Sequence, residues 1–284
     1  MAVVSPAAAI DRRDAARGVR VLERLGYHVR IAPAAFRRSG YFAGSDDVRA
    51  RSLEEALRDP EVRAVFFARG GYGTARLLPL LTKVFPTLEP KILVGYSDAT
   101  ALLDWVSDRY GWITFHGPMV STDFPDLSSA DARLLRDVLE GRSQPVYGLR
   151  SVTGGSAKGR LFGGNLSTLV SILGTPYAPR LDGTILFLEE SNERPYRVDR
   201  MLTQLRLAGI LERVSALVLG EMPGCGTARE IRRIVADVTA GLPVPIATGL
   251  RSGHGRGKQT LPIGALARLD DERPALEILE AVVR

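Results

Sequence analysis

The chain has 284 residues, of which 45% are hydrophobic and 25% are charged, and its formal net charge is +6. This composition is ordinary for a folded globular protein, and the length allows one large or two medium domains. The basic residues form no long block and are not interleaved with aromatic residues, so no nucleic-acid-binding groove is predicted. The basic balance also suits a small substrate that carries carboxylates.

The single cysteine, Cys225, excludes an intramolecular disulfide, and no neighbouring Cys or His cluster accompanies it to form a zinc site. The apolar run 1–10 has no basic region before it, and charged residues close it at 11–14. We therefore expect neither a signal peptide nor a membrane span, and we expect the protein to be cytoplasmic.

Strand and helix patterns alternate over residues 1–140. Strands are predicted at 3–4, 27–31, 62–68, in the apolar run from Lys91 that leads to Ser97, and at 113–115. Helices are predicted from Ala15 to a stop at Gly26, at about 46–58, shortly after 73, from Ala99 to near Gly111, and at 130–139. Such alternation predicts an α/β domain with a parallel, Rossmann-like sheet, whose ligands gather at the carboxyl ends of the strands. Gly71 and Ser97 both lie at those ends.

The composition changes at 141–159, where glycines interrupt any long periodicity, and we interpret this segment as a linker. The remainder, 160–284, is predicted to be a mixed α+β domain. Its strands are expected at 184–188 and 216–219, with short strands from 244 onward, and its helices after Asn165, from Pro195 and from Thr227.

Ser97 follows an apolar strand directly and precedes a helical pattern. A hydroxyl on such a sharp turn projects above the sheet edge, and the next amide, that of Asp98, lies at a helix N-terminus that favours negative charge. These are features of a nucleophile elbow, although the second glycine of the G-x-S-x-G pattern is absent. The alternative is a serine that merely caps the helix.

The run Arg69–Gly73 (RGGYG) follows the third predicted strand. Arg76 stands where a dinucleotide fingerprint needs its third glycine, and no P-loop Lys-Ser/Thr follows, so no cofactor is predicted. Glycines let a backbone N–H approach a reacting atom closely, as an oxyanion hole requires. A plain strand-to-helix turn is the alternative.

The chain has three histidines. His28 lies within a predicted strand and His116 just after one, so both are interpreted as structural. His254 lies in a loop with three glycines that presents its side chain, and it is the best-placed candidate base. Glu189 ends a buried strand, where a carboxylate is either an active-site residue or half of an ion pair, and three further acids at 190, 193 and 199 compete with it.

Four motifs, in order along the chain, resemble one family. They are RGGYG at 69–73, GYSD at 95–98, LEE at 188–190 with PYRVDR at 195–200, and GHG at 253–255. The family is the LD-carboxypeptidase family of serine peptidases, which includes muramoyltetrapeptide carboxypeptidase and the microcin-C self-immunity peptidases. The resemblance extends from VVSP at 3–6 to LPIG at 261–264.

The resemblance implies an N-terminal domain that carries the nucleophile, a C-terminal domain that carries a glutamate and a histidine, and an active site in the cleft between them. It implies Ser97 as the nucleophile, His254 as the general base and Glu189 as the carboxylate that orients the base. The backbone N–H groups of Asp98 and Gly71 would form the oxyanion hole.

The resemblance also implies the reaction. The substrate would be a murein tetrapeptide, cut between its L-centred diamino acid and the terminal D-alanine during cytoplasmic peptidoglycan recycling, with no metal or cofactor and with a homodimer as the assembly. Arg69 or Arg200, beside the predicted cleft, could pair with the terminal carboxylate. For Arg200, an ion pair across the domain interface is the preferred interpretation.

Two other functions stay open. One is a microcin-type peptidase that cleaves aminoacyl nucleotides, although the chain is short and contains no aromatic-rich extra loop to hold a nucleobase. The other is a non-catalytic module that binds a ligand between two domains. The second hypothesis predicts that Ser97→Ala leaves ligand affinity unchanged and that no serine-directed reagent forms an adduct.

Overall fold

The computed structural model describes residues 1–142 and 145–283. The first half contains β1 (Ala2–Val4), α1 (Arg12–Arg24), β2 (Arg30–Ile31), α2 (Asp46–Arg58), β3 (Ala64–Phe67), α3 (Leu78–Leu81), β4 (Ile92–Gly95), α4 (Thr100–Tyr110), β5 (Thr114–His116) and α5 (Ser129–Leu139). The second half contains β6 (Val146–Gly148), β7 (Arg150–Thr153), β8 (Ala157–Asn165), α6 (Leu166–Ile172), β9 (Ile185–Glu189), α7 (Pro195–Leu207), α8 (Ile210–Arg213), β10 (Ala216–Gly220), α9 (Ala228–Thr239), β11 (Ile246–Leu250), β12 (Leu261–Ile263), β13 (Leu266–Asp270) and β14 (Ala275–Ile278).

The first sheet is six-stranded, in the order β12-β5-β4-β3-β1-β2. The strands β1 to β5 pair in parallel, which confirms the predicted Rossmann-like sheet. Every residue of β3 is buried, as expected for a parallel strand covered by helices on both faces. One feature was not predicted: β12, from far along the chain, adds an antiparallel edge strand by pairing with β5.

The second sheet is eight-stranded, in the order β6-β14-β13-β8-β9-β10-β11-β7. Its centre, from β8 to β11, is parallel, and its flanking strands are antiparallel, so the predicted mixed α+β character is confirmed. The helix α9 starts after Thr227, as predicted, with a capping box in which Thr227 and Glu230 exchange hydrogen bonds.

The segment predicted to be a linker contains strands. Both β6 and β7 lie in it, on opposite edges of the second sheet, and β8 begins at Ala157. In β6, Tyr147 is fully buried while its neighbour Val146 is exposed, a two-residue alternation that the surrounding glycines conceal in the sequence. Residues 143 and 144 of this segment lie outside the described residues. The division into 1–140, 141–159 and 160–284 stays a prediction.

The observed positions of two histidines differ from the predicted ones. The strand predicted at 27–31 is limited to Arg30–Ile31, and His28 is exposed and lies before it, so its predicted position within a strand is wrong. His116 lies within β5, not after it, and is 1% exposed, which confirms that it is a buried residue.

The larger hydrophobic core joins the two halves. It extends from Val94 and Phe115 in the first sheet to Phe187 and Leu217 in the second. Because apolar side chains from both halves pack in one core, the relative position of the sheets is fixed by packing as well as by the chain connection. Over the described residues, no helix is both long enough and apolar enough to span a membrane.

Candidate active site

Ser97 lies in a strained turn between β4 and α4. Its φ is 62°, in the left-handed region that residues other than glycine adopt at a cost of about 1–2 kcal/mol. Its side chain caps neither the short 3₁₀ turn at Ser97–Ala99 nor α4. The sharp turn is therefore confirmed, and the alternative of a serine that caps the helix is not supported.

The glycine-rich loop lies directly against this turn. A Cβ atom added to Gly70 would lie 3.1 Å from Ser97 Oγ. The backbone of the loop can therefore approach the serine closely because residue 70 has no side chain. The neighbouring Asp98 is 4% exposed, and its carboxylate accepts hydrogen bonds from Gly73 N at 3.1 Å and Thr74 N at 2.8 Å. Burial raises the pKa of Asp98, although these hydrogen bonds oppose the shift. The carboxylate of Asp98 thus links the loop to the turn, whereas only the backbone N–H of Asp98 was predicted to have a role.

The two predicted oxyanion donors lie on these adjoining segments. Gly71 has a φ of +116°, a conformation that favours glycine. Within residues 1–142 and 145–283, neither the N–H of Gly71 nor that of Asp98 donates to another group. An unpaired N–H beside the serine is what the stabilisation of a developing oxyanion requires.

Glu189 and His254 form a hydrogen-bonded pair. Glu189 is the last residue of β9 and is fully buried. Its Oε2 atom lies 2.7 Å from His254 Nδ1 and also accepts a hydrogen bond from His254 N at 3.0 Å. Because a carboxylate only accepts, the proton of the imidazole is held on Nδ1, and Nε2 is left free to act as a base.

The electrostatics of this pair favour the charged carboxylate. Burial alone raises the pKa of Glu189, but the hydrogen bonds and charge of His254 outweigh it, so the pKa lies below its ordinary value. The second carboxylate oxygen, Oε1, has no hydrogen-bond partner in the described chain. The pair therefore consists of a buried anion directed at one ring nitrogen.

The ring of His254 lies beside the serine turn. It packs edge-on against Tyr96, the residue before Ser97, with the ring centroids 4.9 Å apart. The side chain of His254 is 23% exposed, so one side of the ring is open to solvent. Among the residues that the structure describes, no hydrogen bond joins Ser97 Oγ to this ring. The structure thus places the Glu189–His254 pair against the residue that immediately precedes Ser97.

Two of the three competing acids near Glu189 have other partners. The carboxylate of Glu190 accepts hydrogen bonds from Asn165 Nδ2 at 2.9 Å, Ser167 N at 2.8 Å and Ser191 N at 2.9 Å, and so holds the start of α6. Glu193 pairs with Arg197 on the surface, at 3.2 Å. These contacts leave Glu189 as the acid directed at the histidine.

Two polar residues of the site were not predicted. Lys258 Nζ lies 2.8 Å from Gly253 O, 2.9 Å from Asp123 Oδ1 and 3.2 Å from the hydroxyl of Tyr96. Lys258 follows His254 by four residues in the same loop, and that nearness was the available signal. No sequence signal indicated Asp123, because its position depends on how the segment after β5 folds back.

The two predicted substrate arginines differ in position. Arg69 is exposed and immediately precedes Gly70, which lies against the serine. Arg200 is exposed on α7, and in the described part of the chain it forms no ion pair, so the ion pair preferred for it across the domain interface is not observed. No group of three or more His, Cys, Asp or Glu residues in the described ranges is placed to hold a metal ion.

Comparison with known proteins identifies related sequences along the chain. The sequence model of the LD-carboxypeptidase N-terminal domain matches residues 1–117, and that of the LD-carboxypeptidase C-terminal domain matches residues 158–269. A probable murein peptide carboxypeptidase of Bacillus subtilis (strain 168) is 34% identical over 279 residues, which cover 94% of this chain and 88% of the relative.

Two solved structures extend the comparison. The crystal structure of muramoyltetrapeptide carboxypeptidase from Oxalobacter formigenes has a TM-score of 0.87 at 32% identity and covers 98% of this chain and 97% of its own. The microcin C7 self-immunity protein MccF in complex with aspartyl sulfamoyl adenosine has a TM-score of 0.89 at 25% identity and covers 100% of this chain and 96% of its own.

The two domain matches fall on successive parts of the chain, the N-terminal model before the C-terminal one. Ser97 lies within the first match, and Glu189 and His254 lie within the second. Both domain models are those of LD-carboxypeptidases, and a probable murein peptide carboxypeptidase and a muramoyltetrapeptide carboxypeptidase are similar over most of their length, so the chain is a carboxypeptidase hydrolase. The chain belongs to the LD-carboxypeptidase family.

Proposed function

We propose that the protein is a serine-type LD-carboxypeptidase that removes the terminal D-alanine from murein tetrapeptides by cutting the amide bond to an L-centred diamino acid. The central observation is the 2.7 Å hydrogen bond between Glu189 and His254, formed beside the strained Ser97 turn. A buried carboxylate that orients an imidazole next to a serine on a sharp turn is the arrangement of a catalytic triad.

In the proposed mechanism, Ser97 Oγ attacks the carbonyl carbon of the scissile amide while His254 Nε2 takes the hydroxyl proton. The N–H groups of Asp98 and Gly71 stabilise the oxyanion. His254 then gives the proton to the nitrogen of the leaving D-alanine, and the C–N bond breaks to leave an acyl-enzyme on Ser97. Water, deprotonated by the same histidine, hydrolyses the ester and restores the serine.

Glu189 has a positional and an electrostatic role in this scheme. Its two hydrogen bonds from His254, one from the ring and one from the backbone, fix the ring orientation and the tautomer. Its negative charge stabilises the imidazolium that forms during each proton transfer. Hydrogen bonds between a nucleophile and its base often tighten only when substrate is bound, so the proposal expects the Ser97–His254 bond to form in the substrate complex.

We assign recognition of the terminal carboxylate to Arg69, with Arg200 as the second candidate. Arg69 adjoins the loop that touches Ser97, and a guanidinium can pair with a carboxylate through two parallel hydrogen bonds. Replacing each arginine with Met tests this assignment: a raised KM with unchanged kcat for only one variant identifies the residue. Unchanged KM values for both variants would refute it.

The proposal includes cytoplasmic peptidoglycan recycling by a homodimer. The direct test incubates the purified protein with a murein tetrapeptide and follows the loss of one D-alanine by mass spectrometry. Tetrapeptides with lysine or diaminopimelate at the third position identify the preferred substrate. An intact tetrapeptide after prolonged incubation would refute the function, and light scattering after size-exclusion chromatography tests the assembly.

Cleavage of an aminoacyl nucleotide is the second candidate function. Two exposed tyrosines favour it, because Tyr41 and Tyr72 lie with ring centroids 6.3 Å apart beside the glycine-rich loop and present flat surfaces on which a nucleobase can stack. Incubation with an aspartyl nucleotide amide in parallel with the tetrapeptide separates the two functions. Faster release of aspartate than of D-alanine would favour the second candidate.

A further inference from the structure

Lys258 connects the two loops that carry the proposed nucleophile and base. One of its contacts is with the carbonyl of Gly253, the residue before His254. Another is with the hydroxyl of Tyr96, the residue before Ser97. A third is with Asp123, which also accepts a hydrogen bond from the hydroxyl of Tyr96 at 3.1 Å. Lys258 therefore contacts the residue next to the proposed nucleophile and the residue next to the proposed base, two groups that must approach each other for catalysis.

The ammonium group of Lys258 is surrounded by acceptors of the protein. It donates hydrogen bonds to Gly253 O and to the oxygen of Tyr96, and it forms an ion pair with Asp123 Oδ1. The side chain is 16% exposed and that of Asp123 is 6% exposed. A substrate carboxylate could reach this ammonium only by displacing a buried partner, which argues against a role of Lys258 in substrate binding.

The connection crosses between the halves of the chain. Lys258 and Gly253 lie in the C-terminal match, whereas Tyr96 and Asp123 belong to the first half. Asp123 is itself fixed, because its Oδ2 atom accepts a hydrogen bond from Met119 N at 2.8 Å. The ring of Tyr96 lies against both Lys258, with Nζ 4.9 Å from the centroid, and the ring of His254. Lys258 thus contacts Asp123, which is fixed by its own hydrogen bond, and also binds the carbonyl of Gly253 in the histidine loop.

We propose that Lys258 is a positioning residue that sets the distance between Ser97 and His254 across the domain boundary. This inference rests on the proposed function. Because Lys258 acts through Tyr96 and Gly253, its loss should reduce the rate of the chemical step and leave substrate binding unchanged. A displacement of about 1 Å between reacting groups costs on the order of 100-fold in rate.

The test compares Lys258→Met with the wild type in two assays, namely kcat and KM on the tetrapeptide and the rate at which a fluorophosphonate labels Ser97. The fluorophosphonate carries no carboxylate, so its rate reports the serine and the histidine independently of substrate recognition. We expect both kcat and the labelling rate to fall about 10- to 100-fold while KM stays within about twofold.

Arg180→Met is the matched control. Arg180 forms another ion pair between the halves, with Asp108 at 3.0 Å, far along α4 from the serine. We expect this control to leave kcat and labelling unchanged. If Lys258→Met lowers only the melting temperature, as a structural ion pair would, the proposal is overturned. A raised KM with unchanged labelling would also overturn it, because that result assigns the lysine to substrate binding.

A second variant guards against misfolding. Lys258→Met alone leaves Asp123 buried without its cation, whereas Lys258→Met combined with Asp123→Asn removes both charges and still breaks the connection. The double variant should fold and show the same loss of labelling. If the wild type is labelled at Ser97 but leaves the tetrapeptide intact, the substrate assignment fails while the labelling rates still test Lys258. A wild type that is not labelled overturns both proposals.

Discussion

Gly253 shows how closely a single position is constrained by the Glu189–His254 pair. Its φ is +92°, and a Cβ atom added there would lie 2.4 Å from Glu189 Oε2 and 2.6 Å from Cγ. A side chain at residue 253 would therefore be strained in its backbone and would also displace the carboxylate from the histidine. Glycine is therefore needed at position 253 both for its positive φ and for the close approach of Glu189.

We expect Gly253→Ala to lower kcat by about 100-fold or more, because Glu189 must move away from His254 Nδ1. Gly174→Ala is the control, since Gly174 has a φ of +79° and a Cβ atom added there would meet no other atom of the described chain within 4 Å. Both variants should lose about 1–2 kcal/mol of stability from the backbone conformation, and only Gly253→Ala should lose activity. Full activity of Gly253→Ala would contradict the positional role of Glu189.

His116 makes the stability of the folded chain depend on pH. It is buried between Tyr96 and Phe187, with ring centroids at 5.6 and 5.2 Å, and neither ring nitrogen has a partner among the described residues. Burial lowers the pKa of His116 from 6.5 to about 4. The unfolded chain therefore binds the proton more readily, so stability is fully present above about pH 6.5 and is lost as the pH falls toward 4.

The loss expected from His116 is about 3 kcal/mol over this interval. Urea unfolding of His116→Gln at several pH values should show a correspondingly weaker loss of stability on acidification than the wild type. His28→Gln, which changes an exposed histidine, should behave like the wild type. Equal slopes for His116→Gln and the wild type would contradict the lowered pKa.

At the residue scale, the sequence was informative where local order sets position. Ser97 and Glu189 stand at the ends of strands, and His254 stands in a glycine-rich loop, so each was recognisable without knowledge of the fold. The carboxylate role of Asp98 and the contacts of Lys258 and Asp123 were missed, because they depend on which segments meet in space. The catalytic roles of the three predicted residues stay a proposal.

At the scale of elements, local signals predicted most helices and several strands. The predicted helix at 46–58 agrees with α2, which begins after the capping side chain of Ser45 and ends before Pro60. The short strands β6 and β7 were missed, since three or four residues among glycines give too little alternation to detect. The contact between the serine turn and the glycine-rich loop was predicted only in that both lie at one sheet edge.

Asp98→Asn tests that contact. The carboxylate accepts from Gly73 N and Thr74 N with separate oxygens, whereas an amide offers one oxygen and places its NH₂ group against the second donor. We expect a loss of about 1–3 kcal/mol of stability, because a buried donor loses its acceptor, and a lower kcat as the loop shifts. Asp199→Asn, an exposed change on α7, is the control. Unchanged kcat for Asp98→Asn would show that the loop does not need this anchor.

At the scale of the whole molecule, the site depends on two halves that pack as one. The strand β12 follows the His254 loop and pairs with β5, so the histidine loop is tied to the sheet that carries Ser97. Further contacts cross the boundary, including a hydrogen bond from Gly163 N to Asp104 at 3.1 Å and one from Asn165 N to Thr100 at 3.0 Å. Sequence patterns predicted two domains but not this exchange, because pairing between distant strands leaves no local signal.

This packing predicts a single unfolding transition. Both tryptophans, Trp105 and Trp112, lie in the first half and are buried, so their fluorescence reports that half, whereas far-ultraviolet circular dichroism reports the whole chain. The two signals should change together on heating. Leu261→Ala, in the exchanged strand, should lower both transitions equally and cost about 2–5 kcal/mol. Separate transitions would show that the halves are independent.

The most direct test of the central claim is the capture of the acyl-enzyme. Acid quenching during turnover of a murein tetrapeptide, followed by peptide mapping, should find the substrate without its D-alanine attached to Ser97. The Ser97→Ala variant should show neither the adduct nor D-alanine release, with a loss of at least about 1,000-fold in kcat. Release of D-alanine by Ser97→Ala at the wild-type rate would contradict the account.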